Sequence, residues 1–150
     1  PLDGSQPIIA NQHCFAWGKH LLASSTAAKI YTLEDDAFDD DGSDIAWKRR
    51  APHLAAEGAR NVFYHRLTLD IETGMAGYPD STVSLRSSDD GGRTWNTPMS
   101  AGLGAAGDTF RRVTFGPLGS SRNRVFEVYG SAPVPITIVN ADLDVTPGRT

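Results

Sequence analysis

The stretch Ser88-Asp89-Asp90-Gly91-Gly92-Arg93-Thr94-Trp95 constrains the fold more than any other segment of the chain. An aspartate in a tight reversal accepts hydrogen bonds from backbone N–H groups that the turn leaves unpaired. Gly91 and Gly92 supply the positive φ that such a reversal requires. The Ser88 hydroxyl can close the other side of the turn, and Trp95 on the return strand can bury a large ring against a sheet. Ser88, Asp90, Gly92 and Trp95 are therefore expected to form a structural hairpin clamp, which needs a strand on either side.

The flanking sequence supplies those strands. From Val62 to Glu72, Phe63, His65, Leu67, Leu69 and Ile71 fall on one face, and Val62, Tyr64, Arg66, Thr68 and Asp70 on the other. That is strict period-two alternation, with the first set expected in the core and His65 as a core histidine. Residues 82–87 form a strand with Val83 and Leu85 inward, and 110–115 and 124–130 follow. In 135–145 the set Thr137, Val139, Ala141, Leu143 and Val145 is the expected buried face. Earlier, 13–17, 20–24 and 28–33 are short strands broken by Gly and Ser signals, and 45–52 is another that ends at Pro52. Residues 54–60 suit one helical turn, and 34–44, 74–80 and 101–107 are loops by composition. Trp17, Trp47 and Trp95 all occupy strand-like contexts that favour a core. The expected fold is mostly β. An antiparallel β-sandwich or barrel spans residues 54–150 and carries the hairpin. It is preceded in 1–53 by a propeller-blade-like sheet, the end of a larger upstream domain.

Charge and composition narrow the function. Lys plus Arg number 14 against 18 Asp plus Glu, a net charge of -4 that argues against wrapping duplex DNA by charge alone. One cysteine, Cys14, excludes an internal disulfide and suits a reducing cytoplasm; beside Phe15 it is expected as a small buried hydrophobe. No apolar run approaches the roughly 20 residues of a membrane-spanning helix. The chain starts with Pro1, which suggests a processed chain or a piece of a longer one.

Reactive groups do not assemble into a known chemistry. His13, His20, His53 and His65 lack the spacings of a zinc site, and no nucleophile or phosphate-binding motif occurs. The acidic run 34–44 offers many oxygens but not the order of a calcium loop, so a solvated loop is the preferred reading. Arg111 and Arg112 are adjacent and point to opposite faces of a strand, so they cannot clamp one anion together. Asp70 and Glu72 share a face, a pattern common on exposed strands. No catalytic residue, metal or cofactor is expected. Asp39, Asp40 and Asp41 on one side, and Lys48, Arg49, Arg50, Arg111, Arg122 and Arg124 on the other, are candidate interface residues, with solvated faces the plainer account of the basic ones.

The hairpin spacing S-x-D-x-G-x-x-W is the Asp-box pattern, found in sialidases and in many non-enzymes as a folding device, so a carbohydrate-binding or sialidase-like module stands as the alternative. The order of several further segments resembles a more specific family. These are Gly18–Leu22, Lys29–Leu33, Asp41–Ile45, Arg49–His53, Val62–Gly74, Ser84–Trp95, Arg111–Val113 and Arg122–Val128. Together they resemble the C-terminal region of the packaged-DNA stabilisation proteins of short-tailed phages, also called tail accessory factors or tail hub proteins. That resemblance implies a non-enzymatic virion protein of the tail, assembled in the host cytoplasm as a six-fold ring. Its implied partners are its own copies, a portal or head–tail adaptor protein, other tail proteins (fibre, spike or needle) and DNA passing through the channel. Ser87 departs from the family, which often has a bulky aromatic there; a slightly less packed hairpin is expected.

Overall fold

The computed structural model describes residues 10–55, 60–73, 81–104 and 108–148. The chain divides into two compact units, 1–43 and 44–150. In the first, β1 (Ala10–Ala16), β2 (Lys19–Ser24) and β3 (Ile30–Leu33) form an antiparallel sheet in the order β1-β2-β3. Ala16 pairs with Lys19, so Trp17 and Gly18 alone make the reversal, with φ of 52° and 73°. Two consecutive positive φ values match the twist of the flanking strands. They also turn Trp17 out to 90% exposure, against its expected place in a core. Cys14 is likewise exposed. No residue between 10 and 43 is buried. Within the acidic run, where a loop was expected, β4 (Asp39–Asp40) and β5 (Ser43–Asp44) form a two-stranded ribbon, turned by Asp41 and Gly42 at positive φ.

The second unit is a β-sandwich. One sheet has the order β10 (Met99–Gly102), β9 (Thr82–Ser88), β13 (Asn123–Gly130) and β6 (Trp47–Arg50), with β7 (Leu54–Ala55) also on β13. The other is built on β8 (Val62–Glu72). β11 (Phe110–Phe115) and β12 (Gly119–Ser121) pair in succession along one edge of β8, and β14 (Thr137–Pro147) pairs along the other. Strand 47–50, grouped by sequence with the first 53 residues, pairs with β13 and so belongs to the sandwich. Residues 54–55 are strand rather than part of a helical turn, and 56–59 lie outside the described residues, as do 74–80 and 105–107 of the expected loops.

The core lies between the sheets, with Leu69, Ile71, Val83 and Leu85 essentially inaccessible. The expected alternation of β8 holds for Leu67, Leu69 and Ile71 and then inverts. Asp144 pairs with Arg66 but Val145 with Tyr64, so His65 is an extra residue, a β-bulge. Below it Val62 and Tyr64 are buried, while Phe63 and His65 are exposed. His65 is therefore no core histidine; its Nε2 lies 2.8 Å from Thr146 Oγ1. Across from the bulge, a Cβ on Gly116 would stand 2.6 Å from the His65 carbonyl oxygen, so only glycine permits the neighbouring chain to pass. A second bulge, at Val139, shifts β14 in the same way. Ile138 and Leu143 pack on the core, whereas Val139 and Val145, expected inside, are 56% and 42% exposed.

Candidate functional site

The turn after β9 is held by its own side chains. Ser88 Oγ donates to Asp90 Oδ1 at 2.7 Å and accepts the Gly92 N–H at 2.8 Å. Asp90 Oδ1 accepts the N–H groups of Arg93 and Thr94, each at 2.9 Å, and its Oδ2 accepts the Thr94 hydroxyl at 2.6 Å. Gly91 and Gly92 have φ of 80° and 92°. The Thr94 hydroxyl and N–H, then the Ser88 hydroxyl, hold the Asp90 carboxyl far below its ordinary value. The unfolded chain therefore takes up a proton at this position before the folded chain does. The Asp90 contribution to stability is complete above pH 3.8 and falls as the pH drops through the folded value. In urea denaturation, Asp90→Asn is expected to lower the midpoint at pH 7, and its gap from the parent should narrow steadily below pH 3.8. A pH-independent gap would refute this account.

Trp95 does not enter the apolar core. It lies half-buried on the outer face of the sheet, with the Arg86 and Arg50 guanidinium carbons 4.4 and 5.0 Å from the ring centroid. The register explains why. Glu127 on β13 stands opposite Arg50 on β6 and Arg86 on β9, so all three side chains project from one face of neighbouring strands. Arg50 Nε and Nη2 donate to Glu127 Oε2 at 2.9 and 2.8 Å, and Arg86 Nε donates to Oε1 at 2.7 Å. Trp95 covers this ion trio, and Glu127 is 0% exposed. The turn is thus a lid over a buried carboxylate. Ser87, the departure from the family pattern, is bridged by Asn96, whose N–H donates to the Ser87 carbonyl oxygen at 2.9 Å.

Several candidate contact residues are engaged within the chain. Arg124 is 4% exposed and cannot meet a partner. Its Nε and Nη2 hold both oxygens of Asp89, at 2.6 and 2.7 Å, and its Nη1 donates to the Leu118 carbonyl. Arg50 is committed to Glu127, Asp41 to Lys29 at 2.5 Å, and Asp39 Oδ1 to the Gly42 N–H at 3.0 Å. Lys48, Arg49, Arg111, Arg122 and Asp40 are exposed. Asp70 is paired: Arg112 grips both of its oxygens, at 2.7 and 3.0 Å, and holds the carboxyl below its ordinary value. Among the described residues no group of three or more His, Cys, Asp or Glu is placed to hold a metal ion. His13 Nε2 and His20 Nδ1 lie 2.9 Å apart across β1 and β2. The sequence reading passed over Glu127, Arg86 and Asp89. Only the isolated charge of Glu127 within Arg124–Gly130 marked it, because a lone carboxylate in an apolar strand must find a cation.

The two sheets lie close where β10 borders β11. At the opposite side a groove of about 920 Å³ opens between β6 and β14, floored by Leu67, Leu69, Val128 and Ile138. The model of the family described as bacteriophage P22 Gp10, beta-sandwich, matches residues 46–146, more than half of the chain. The chain belongs to this family. The residues lining the groove fall inside the matched region, as does the turn with its ion trio. Membership places the chain among structural proteins of phage virions, and the β-sandwich that the family describes is the fold observed. No curated protein matches the chain.

Proposed function

We propose that this chain is a structural component of the phage head–tail connector or tail hub. It helps close the portal channel, retains packaged DNA and gives attachment to further tail proteins, as copies arranged in a ring with the portal or adaptor as neighbour. The family match across the whole sandwich carries this reading. The chemistry of the charged residues agrees with it. Glu127, Asp70, Asp89 and Asp90 are each held by arginines or turn groups, which builds a stiff module rather than a reactive cleft. The carbohydrate-binding alternative rests on the Asp-box turn, and there the Trp95 ring is flanked by arginines rather than open to a glycan. The first sheet fits the propeller-blade-like end of a larger domain, since three strands without a buried residue have no core of their own.

The deciding experiment removes the chain from the phage that encodes it. Heads are expected to fill and then release DNA, seen as loss of nuclease-protected DNA from purified particles. Image reconstruction of complete particles is expected to place the sandwich in a ring on the tail axis. Particles that retain their DNA and carry whole tails without the chain would refute the proposal.

A further inference from the structure

We propose that the groove between β6 and β14 receives an extended segment of a different protein, one that carries a carboxylate among apolar side chains. Three observations meet there. First, β6 pairs only with β13 and β14 only with β8 among the described strands, so each has one edge without a strand beside it. Such an edge offers backbone donors and acceptors to an added strand. Second, the floor between them is apolar: Leu67, Leu69 and Val128 are buried core residues lying beneath it, and Ile138 is partly buried beside them. Third, of the bases on β6 Arg49 alone projects from the inner face into the groove, and among the described residues the lining holds no acidic side chain.

The position of Arg49 gives the groove its selectivity. Arg49 pairs with Val128, so it projects from the inner face of the sheet, the face that packs the core, yet it is exposed. An inward-pointing cation at a sheet edge opposes the addition of an arbitrary apolar strand. An occupant that places a carboxylate against Arg49 turns this obstacle into a charge-assisted hydrogen bond in a partly apolar setting. A second copy is the weaker candidate. The acidic run of the chain has Asp39 and Asp41 tied into its own ribbon, by the Gly42 N–H and by Lys29.

The virion role above determines where the occupant is sought, and the test separates the two. Val139, 56% exposed on the groove wall, is replaced by the photo-crosslinker p-benzoylphenylalanine in the full chain, in phage-infected cells. After irradiation the crosslinked peptide is sequenced by mass spectrometry. The expected adduct is a segment of another phage protein with Asp or Glu within a few residues of the attachment point. Arg49→Glu should reduce its yield about tenfold or more, and Arg49→Lys should largely restore it, with melting temperatures unchanged. An adduct to a second copy, an adduct to a segment without a carboxylate, indifference to Arg49→Glu, or no adduct at all would each overturn the inference. Presence of the chain in purified particles is scored separately and bears only on the virion role.

Discussion

Glu127→Ala is expected to destabilise the protein by about 2–3 kcal/mol, because it removes a buried carboxylate and its charge-assisted hydrogen bonds and leaves two partly exposed guanidinium groups facing each other. Arg50 and Arg86 now balance their charge on Glu127, and Trp95 lies against both. Loss of the carboxylate should push the arginines outward and loosen the turn that rests on them. A Cβ on Gly92 would lie 3.4 Å from the Trp95 ring and 3.5 Å from Arg50, so turn, ring and ion trio are packed as one body. The triple change Arg50→Met, Arg86→Met, Glu127→Leu should lose less than Glu127→Ala alone, since no buried charge then lacks a partner. Urea denaturation of both variants checks this. A single variant within 1 kcal/mol of the parent would show that water reaches Glu127 and that the lid is not closed.

Phe126→Ala should also remove about 3–5 kcal/mol, the usual consequence of deleting a buried aromatic ring. Phe126 is 3% exposed and meets Tyr64 edge-on, with centroids 5.5 Å apart. Tyr64 in turn donates its hydroxyl to the Leu54 carbonyl at 3.1 Å and so fixes β7. The ring also lines the groove. The cavity left by alanine would therefore open into the groove rather than close over. Phe126→Leu keeps most of the volume and should lose clearly less. Thermal melts rank the pair, and equal losses for both would show that the Tyr64 contact, not the volume, is what matters.

Much of the sandwich was legible because its strands alternate. The boundaries of β8 follow from its eleven alternating residues, and Val83 and Leu85 were placed inward correctly. The hydrogen bonds of the Ser88–Thr94 turn involve partners no more than four residues apart, so side-chain chemistry and local spacing specify them. That the chain belongs to a short-tailed phage tail family was legible from the order of segments, since a long series of matched stretches is far more specific than any one of them; the packaged-DNA stabilisation role stays with the resemblance.

The misplacements share one physical origin. Alternation propagates a face assignment along a strand only while the register is unbroken. One extra residue at His65 exchanges the faces of β8 below it, and one at Val139 exchanges those of β14 before it, where Ile138 rather than Thr137 faces the core; the local sequence carries no mark of either. Likewise Trp17 is sent into solvent by a two-residue turn, and Trp95 is held on the outer face by arginines from two other strands. The sequence by itself determined the β class, the closed turn at Ser88–Trp95, and the broad phage-tail family. Only the tertiary structure decided which charges are spent inside the molecule. Glu127 lies 77 residues from Arg50 and 41 from Arg86, and Asp89 lies 35 from Arg124. Pairings over such distances are set by strand order and register, and these arise from the packing of the whole sandwich.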